Sequence, residues 1–280
     1  VLERERLLQE RAQAQANELA LREANRRMDE FLSIASHELR TPLTAIKGNI
    51  QLAQRRLDRM IQQRDTGSDG IVGNLDAVRD LLERAERQMR LQNRLVNDLL
   101  DVSRIQADKL EMQLKLCDLA TIVREAVREQ ELAVAPRIIQ LHMETEPVSV
   151  LADADRISQV VTNYLTNALK YSEEEKPVEV CLRTNEGDVR VLVCDKGPGL
   201  SLADQEHIWD RFYRVDGIAV QSGSGVGLGL GLHICRTIIE ANGGQVGVES
   251  VSGEGSTFWF TLPLASSESV AIGDVPGYVA

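Results

Sequence analysis

At 280 residues with 43% hydrophobic content, the chain is long enough to enclose a core, and its length suits two domains. A formal charge of -11 without a segregated basic patch excludes a nucleic-acid binder, because such a surface would repel a phosphate backbone. The four cysteines, Cys117, Cys181, Cys194 and Cys235, stand singly in apolar surroundings and lack the paired spacing of a zinc site or a disulfide framework. They read as core residues in a reducing compartment. No apolar run approaches the roughly 20 residues that span a bilayer, so this portion is expected to be cytoplasmic. The chain opens on Val1 rather than Met, which suggests a piece of a longer protein with room for a membrane anchor or a further domain upstream.

Residues 1–30 are rich in Glu, Arg, Gln and Ala and contain no Gly or Pro, which favours a helix. Leu7, Ala14, Leu21, Met28 and Ala35 recur every seven residues, but Arg11, Glu18 and Asn25 fill the alternate heptad sites, so the coiled coil is weak. A stronger seam follows in Leu32, Ser36, Leu39, Leu43, Ile46, Ile50, Ala53, Leu57 and Met60. It is answered by Leu75, Val78, Leu82, Ala85, Met89, Val96 and Leu99, across the turn-rich stretch Asp65 to Gly70. The two runs predict a helical hairpin. Two helices of about 30 residues, about 45 Å each, cannot enclose their own seams. A second copy can, and a dimeric four-helix bundle is the expectation.

Beyond about residue 111 the pattern turns to short β-rich runs alternating with helices. Strands are predicted over Met112–Leu116, Ile138–Met143, Val178–Arg183, Val189–Cys194, Gln245–Ser250 and Thr257–Leu262. Helices are predicted over Leu119–Val134, Asp155–Tyr171 and Leu230–Ala241, which makes this half an α/β domain. Ser266–Ala280 reads as a small-residue tail without regular order.

Three constellations carry chemistry. His37 lies one residue beyond Ser36, about 100° round the helix, hence on the flank of the bundle where it can be reached. Neutral imidazole offers a lone pair and an N–H, and the adjacent Glu38 could accept that N–H and free the other nitrogen as a nucleophile. Pro42 cannot donate to the carbonyl of Glu38, which predicts a bend just past the histidine. Alone, the pair would be an ordinary solvated His beside a solvated Glu. Asn163 and Asn167 project from one helical face, with Lys170 three residues further on. Amide oxygens are hard ligands suited to Mg2+, and lysine neutralises phosphate charge; a plain polar stripe is the competing reading. Asp195 ends a strand before Lys196-Gly197-Pro198-Gly199, where a carboxylate can accept a hydrogen bond from a purine amino group; a plain turn is the competing reading. The run from Ser222 to Leu232, with Gly225, Gly227, Gly229 and Gly231, opens into a helix, and its glycines let backbone approach a nucleotide triphosphate. A flexible linker would not carry Val226, Leu228 and Leu230 between those glycines.

Taken in order, these stretches resemble the sensor histidine kinases of two-component signalling, from about Phe31 to Pro263. His37 to Pro42 looks like the H box, Asn163 to Tyr171 the N box, and Asp195 to Gly199 the G1 box. Trp209 to Arg214 is similar to the F box, Gly227 to Gly231 to the G2 box, and Gly253 to Phe258 to the closing turn and strand. The fold class implied is α plus α/β. A dimeric phosphoacceptor hairpin would precede an α/β sandwich ATP-binding domain of the Bergerat type, also seen in gyrase B, MutL and Hsp90. The expected domains are a signalling helix at 1–30, the phosphoacceptor domain at 31–110, the ATP-binding domain at 111–265 and the tail at 266–280.

The resemblance implies phosphorylation of His37 with Glu38 as its base, and Asn167 as principal Mg2+ ligand assisted by Asn163. Lys170 would touch phosphates, Tyr171 would flank adenine, and Asp195 would bind its amino group beside Gly197 and Gly199. Arg214 would stabilise the transferring phosphoryl, Gly225 to Gly231 with Leu230 would form the ATP lid, and Thr257 would complete the pocket. Thr41 matches the position tied to a phosphatase activity. Lys196, Leu228 and His233 depart from the usual residues without removing a catalytic group. The implied partners are a second copy of the chain, the receiver domain of a response regulator and the upstream sensor. The rival readings are an ATP-driven clamp, which the H box argues against, and a scaffold that has lost its chemistry.

Overall fold

The computed structural model describes residues 2–62, 68–134, 137–144, 146–215, 217–218 and 227–265. They form two compact units, Val1–Asn97 and Asp98–Ala280. The predicted tail therefore lies outside the described residues, as do Gly225 and Asp65 to Gly67.

The first unit is built from α1 (Leu2–Gln62) and the greater part of α2 (Ser68–Gln106). Glu and Arg spaced four apart line their wet faces, as in Glu18–Arg22 at 2.6 Å and Arg79–Glu83 at 3.1 Å. The helix continues unbroken through Pro42, which is buried. Ser68, Asp69 and Gly70 open α2 rather than prolong the turn. The seams divide in a way the sequence reading does not anticipate. Ala35, Ile46 and Ala53 are buried on α1, and Val78, Ala85 and Leu95 on α2, but Leu43, Ile50, Leu57, Leu75, Leu82, Met89 and Val96 stay exposed. Most of the expected seam is thus a second stripe at heptad spacing that one hairpin leaves in water. A helix in a two-helix hairpin has one neighbour and can bury one stripe against it.

The second unit closes its own core. A five-stranded sheet runs in the order β2 (Ile139–Met143), β4 (Val178–Thr184), β5 (Asp188–Asp195), β7 (Gly255–Pro263), β6 (Gln245–Val251), with only β2 and β4 parallel. α3 (Leu119–Val134), α4 (Ala154–Tyr171) and α6 (Gly231–Ala241) cover one face. Alternation along β4 and β5 sends Val178, Val180, Leu182, Val189, Val191 and Val193 inward, where they meet Ile157, Leu165, Ile234 and Ile238, all fully buried or nearly so. Each such side chain contributes about 1.5–3 kcal/mol relative to exposure. On the outer face Trp259 lies on Gly247, where an added Cβ would come within 2.1 Å of the indole, and the Arg190 guanidinium sits 4.1 Å above the ring centre.

A small ladder stands apart. β1 (Lys115–Asp118) pairs antiparallel with β3 (Ser149–Ala152), a strand absent from the sequence reading, and the predicted start at Met112 is not extended. Asp153, two residues ahead of the predicted helix start, is the true cap of α4, its carboxylate accepting from the backbone N–H of Arg156 at 3.2 Å. The last turns of α2 belong to this unit as well. Asp101 there is buried, and its two carboxylate oxygens each accept from Arg156 at 2.9 Å while Gln159 donates to it at 2.8 Å.

Candidate active site

In the first unit His37 presents its ring to solvent, with 77% of the side chain exposed, whereas Glu38 retains only 15%. The Nδ1 atom of His37 lies 3.7 Å from Oε1 of Glu38. That is an electrostatic contact rather than a formed hydrogen bond. Nε2 is the ring nitrogen not facing that carboxylate. One turn on, the Thr41 hydroxyl donates to the carbonyl of His37 at 3.1 Å, which ties that hydroxyl to the same helical face.

In the second unit α4 gathers the polar residues. Its inner face is spent on the core through Ile157, Val160, Val161, Tyr164, Leu165, Ala168 and Leu169, so Asn163, Asn167 and Lys170 share the remaining side. The Asn167 amide nitrogen donates to Oδ1 of Asn163 at 3.1 Å, which turns the Asn167 oxygen away from that bond. Lys170 reaches over the ring of Tyr171 at 5.0 Å and would stand 3.8 Å from a Cβ at Gly227. Arg214 donates to the carbonyl of Gly227 at 3.2 Å, so two cations bracket that glycine.

The glycines are there for room. A side chain at Gly231, the first residue of α6, would meet the Asn163 amide at 2.3 Å, so the helix after the glycine run starts directly against the N-box helix. Gly229 has φ +66°, and a Cβ there would strike the carbonyl of Tyr213 at 2.7 Å. Leu230 between them is buried and anchors the run in the core. Gly199 is likewise left-handed and abuts the Val251 carbonyl.

Asp195 ends β5 and is buried. Burial pushes its carboxyl above the usual carboxylate range, opposed by hydrogen bonds from the backbone N–H groups of Gly197 and Ser256 and by the nearby Lys196. Its Oδ1 accepts from Gly197 at 2.7 Å. Ser256 pairs with Asp195, while Thr257 pairs with Cys194 and so lies on the opposite face of the sheet. Ser256 is the hydroxyl residue beside the carboxylate, and strand alternation counted back from the buried Phe260 could have found it. Two further contacts tie the surroundings together, one through His233, noted above only as an unusual residue, and one through Arg137, which the sequence reading did not single out. His233 accepts from the Arg211 side chain at 2.9 Å, joining α6 to the segment before Arg214. Arg137, just before β2, donates to the end of α4 at Leu169 and Ser172.

The described residues contain no group of three or more His, Cys, Asp or Glu able to hold a metal. A divalent ion here would rest on amide oxygens, phosphate and water, and the donor set of Asn163 and Asn167 fits Mg2+ in that manner.

Comparison with known proteins follows the same division. Residues 27–108 match the His Kinase A (phospho-acceptor) domain, and residues 152–266 match the histidine kinase-, DNA gyrase B- and HSP90-like ATPase domain. The adaptive-response sensory kinase SasA of Synechococcus sp. (strain JA-3-3Ab) is 33% identical over 267 residues, covering 92% of this chain and 63% of SasA. The alginate biosynthesis sensor protein KinB of Pseudomonas aeruginosa is 32% identical, covering 84% of this chain and 37% of KinB. The chain thus spans less than two thirds of these relatives. Among solved structures, full-length ShkA in complex with AMPPNP superposes with a TM-score of 0.56 at 27% identity, covering 85% of this chain and 46% of ShkA. With a phospho-acceptor domain followed by a kinase-type ATPase domain, and with sensor kinases matching across both, the chain belongs to the sensor histidine kinases of two-component systems.

Proposed function

We propose that the chain uses Mg-ATP to phosphorylate His37 and passes the phosphoryl group to an aspartate of a response regulator's receiver domain. The observation that carries this reading is the exposed imidazole of His37, with its Nδ1 3.7 Å from the sheltered Glu38. In the reaction Nε2 forms the N–P bond to the γ-phosphorus, the bond to the bridging oxygen breaks and ADP leaves. The proton on Nδ1 passes to Glu38. His37 and the nucleotide residues belong to different units, so the reaction requires the two to meet, a step that upstream helical motion through α1 can gate.

In the second unit Asp195 would accept from the adenine amino group, flanked by Tyr171, Gly197 and Gly199. Lys170 and Arg214 would take phosphate charge near Gly227, and the glycine run to Gly231 would lie over the nucleotide as a lid. Phosphoryl transfer depends on such positioning and charge neutralisation more than on covalent help. Asn167, with Asn163, would hold Mg2+, which when bound neutralises phosphate charge.

The functional partition follows the proposed domains, 31–110 for phosphoacceptor and dimer contacts and 111–265 for ATP. The exposed heptad stripe of α1 and α2 supports a homodimer. Thr41, held one turn from His37, supports a phosphatase action toward the receiver. In the full-length protein an upstream sensor would supply the input, and any membrane attachment would lie there too. The test is incubation with γ-labelled ATP and Mg2+. An acid-labile, base-stable phosphoprotein is expected from the parent chain and none from His37→Gln; label retained in that variant overturns the assignment.

A further inference from the structure

The C-terminal end of α4 is held by a single side chain from a distant part of the sequence. The last carbonyls of any helix lack intrahelical donors and carry its negative partial charge. Here Arg137 answers them with an unusually full set. One terminal nitrogen donates to the carbonyls of Leu169 at 2.5 Å and Ser172 at 3.2 Å. The other donates to Oγ of Ser172 at 2.7 Å and to the carbonyls of Glu173 at 2.7 Å and Lys176 at 3.3 Å. Ser172 is fully buried, and its hydroxyl also donates to the carbonyl of Ala168 at 2.6 Å.

The position of this clamp matters more than its strength. Leu169 and Ser172 flank Lys170 and Tyr171, the last two residues of the nucleotide face of α4. The Tyr171 backbone is itself a wall of the Asp195 loop. A Cβ placed on Gly197 would lie 2.9 Å from the Tyr171 carbonyl oxygen and 2.8 Å from Oδ1 of Asp195, the atom to which Gly197 donates. The Gly197 backbone is therefore held without slack between the Tyr171 backbone and the Asp195 carboxylate. Fixing the α4 end fixes where Tyr171 stands, and Tyr171 in turn sets how closely the Gly197 turn can hold the Asp195 carboxylate.

We propose that Arg137 is a positioning residue for the adenine end of the nucleotide site, acting through the carbonyl-lined end of α4 on Tyr171 and Asp195. The inference rests on the reading that Asp195 accepts from the adenine amino group. A planar guanidinium is required, because lysine offers a point charge that cannot span acceptors from Leu169 to Lys176.

The test compares ATP with inosine triphosphate, which lacks the amino group, in the full chain carrying His37→Gln so that no turnover disturbs binding. Equilibrium affinities are measured by calorimetry with Mg2+ present. Adding Arg137→Ala is expected to weaken ATP roughly tenfold and inosine triphosphate only about twofold, narrowing the preference for ATP. Arg137→Lys should fall between, and Ser172→Ala, which removes one accepting oxygen, gives a milder version should Arg137→Ala fail to fold. Equal losses for both nucleotides, or no loss, overturn the proposal, since a merely destabilised domain would not choose between them. A parent chain with no preference for ATP, or an Asp195→Asn variant that binds ATP as well as before, instead overturns the adenine reading and this inference with it. An intact preference indifferent to Arg137 overturns this inference alone.

Discussion

The hairpin and the α/β unit face the same problem, concealing apolar side chains, and handle it in opposite ways. Along α4 and the facing strands of the second unit, the apolar positions are sealed within one chain, down to complete burial of Ile157, Leu165 and Val180. Among the described residues of the first unit one stripe is hidden, through Ile46, Ala53, Ala85 and Leu95, while Leu43, Leu82 and Met89 remain in water. Chemistry divides along the same line. The unit with the finished core carries the crowded, glycine-fitted polar site, and the unit with the unfinished one carries a single exposed imidazole. In the proposed reaction a site that holds a triphosphate needs rigid surroundings, whereas a histidine that is to be reached by another domain needs to stand clear.

Four measurements sharpen or break this contrast. The largest effect is expected from Asn167→Ala, which should lower His37 phosphorylation by roughly a thousandfold by removing charge-neutralising support, with oligomeric state by light scattering unchanged. Leu165→Ala is expected to destabilise the α/β unit by about 2–5 kcal/mol, read as a fall in its unfolding midpoint, because a fully buried Leu leaves a cavity. The matching hairpin change, Leu82→Glu, sits on a residue 51% exposed and should leave the fold of one chain intact. Its expected effect is on association, raising the dimer dissociation constant by roughly 10–100-fold in sedimentation equilibrium. If Leu82→Glu instead unfolds the hairpin without changing assembly, the stripe is not an interface.

The smallest effect concerns pH. Burial, and then the neighbouring Arg211 and Arg236, lower the pKa of His233 from 6.5, against hydrogen bonding to Trp209 and the opposing Asp210. A histidine depressed in the folded state resists protonation there, so its contribution is present above 6.5 and is lost as pH falls through that value toward the folded pKa. His233→Gln should therefore flatten the decline in the melting temperature of the α/β unit between about pH 7 and 5. An unchanged slope in that variant would remove His233 from the account.

Long periodic elements were legible in the sequence. The predicted helix Leu119–Val134 has the observed bounds, because its apolar spacing and its burial obey the same period. The box residues were also legible, since Asn163, Asn167 and Lys170 at helical spacing reach one face whatever surrounds them. Short elements were not. β3 spans only Ser149–Ala152 and exists because β1 lies beside it, so its identity resides in a partner more than 30 residues away in sequence. The exposed stripe was predicted as part of one seam, because periodicity marks what is apolar without saying which neighbour covers it. Which hydroxyl residue stands across from Asp195 is decided by register, Ser256 and not its neighbour Thr257, because one residue reverses the face of a period-two element. Arg137 lay in an unpatterned link, and nothing in its local sequence announces five acceptors at the far end of another helix.

Among the described residues no helix covers the outer side of the sheet, yet it is not left raw. Where Gly247 omits a side chain, the Trp259 indole lies down flat like a tile, and Arg190 roofs it. That corner of the back of the domain is thereby closed, and any side chain added at position 247 would have to displace the indole.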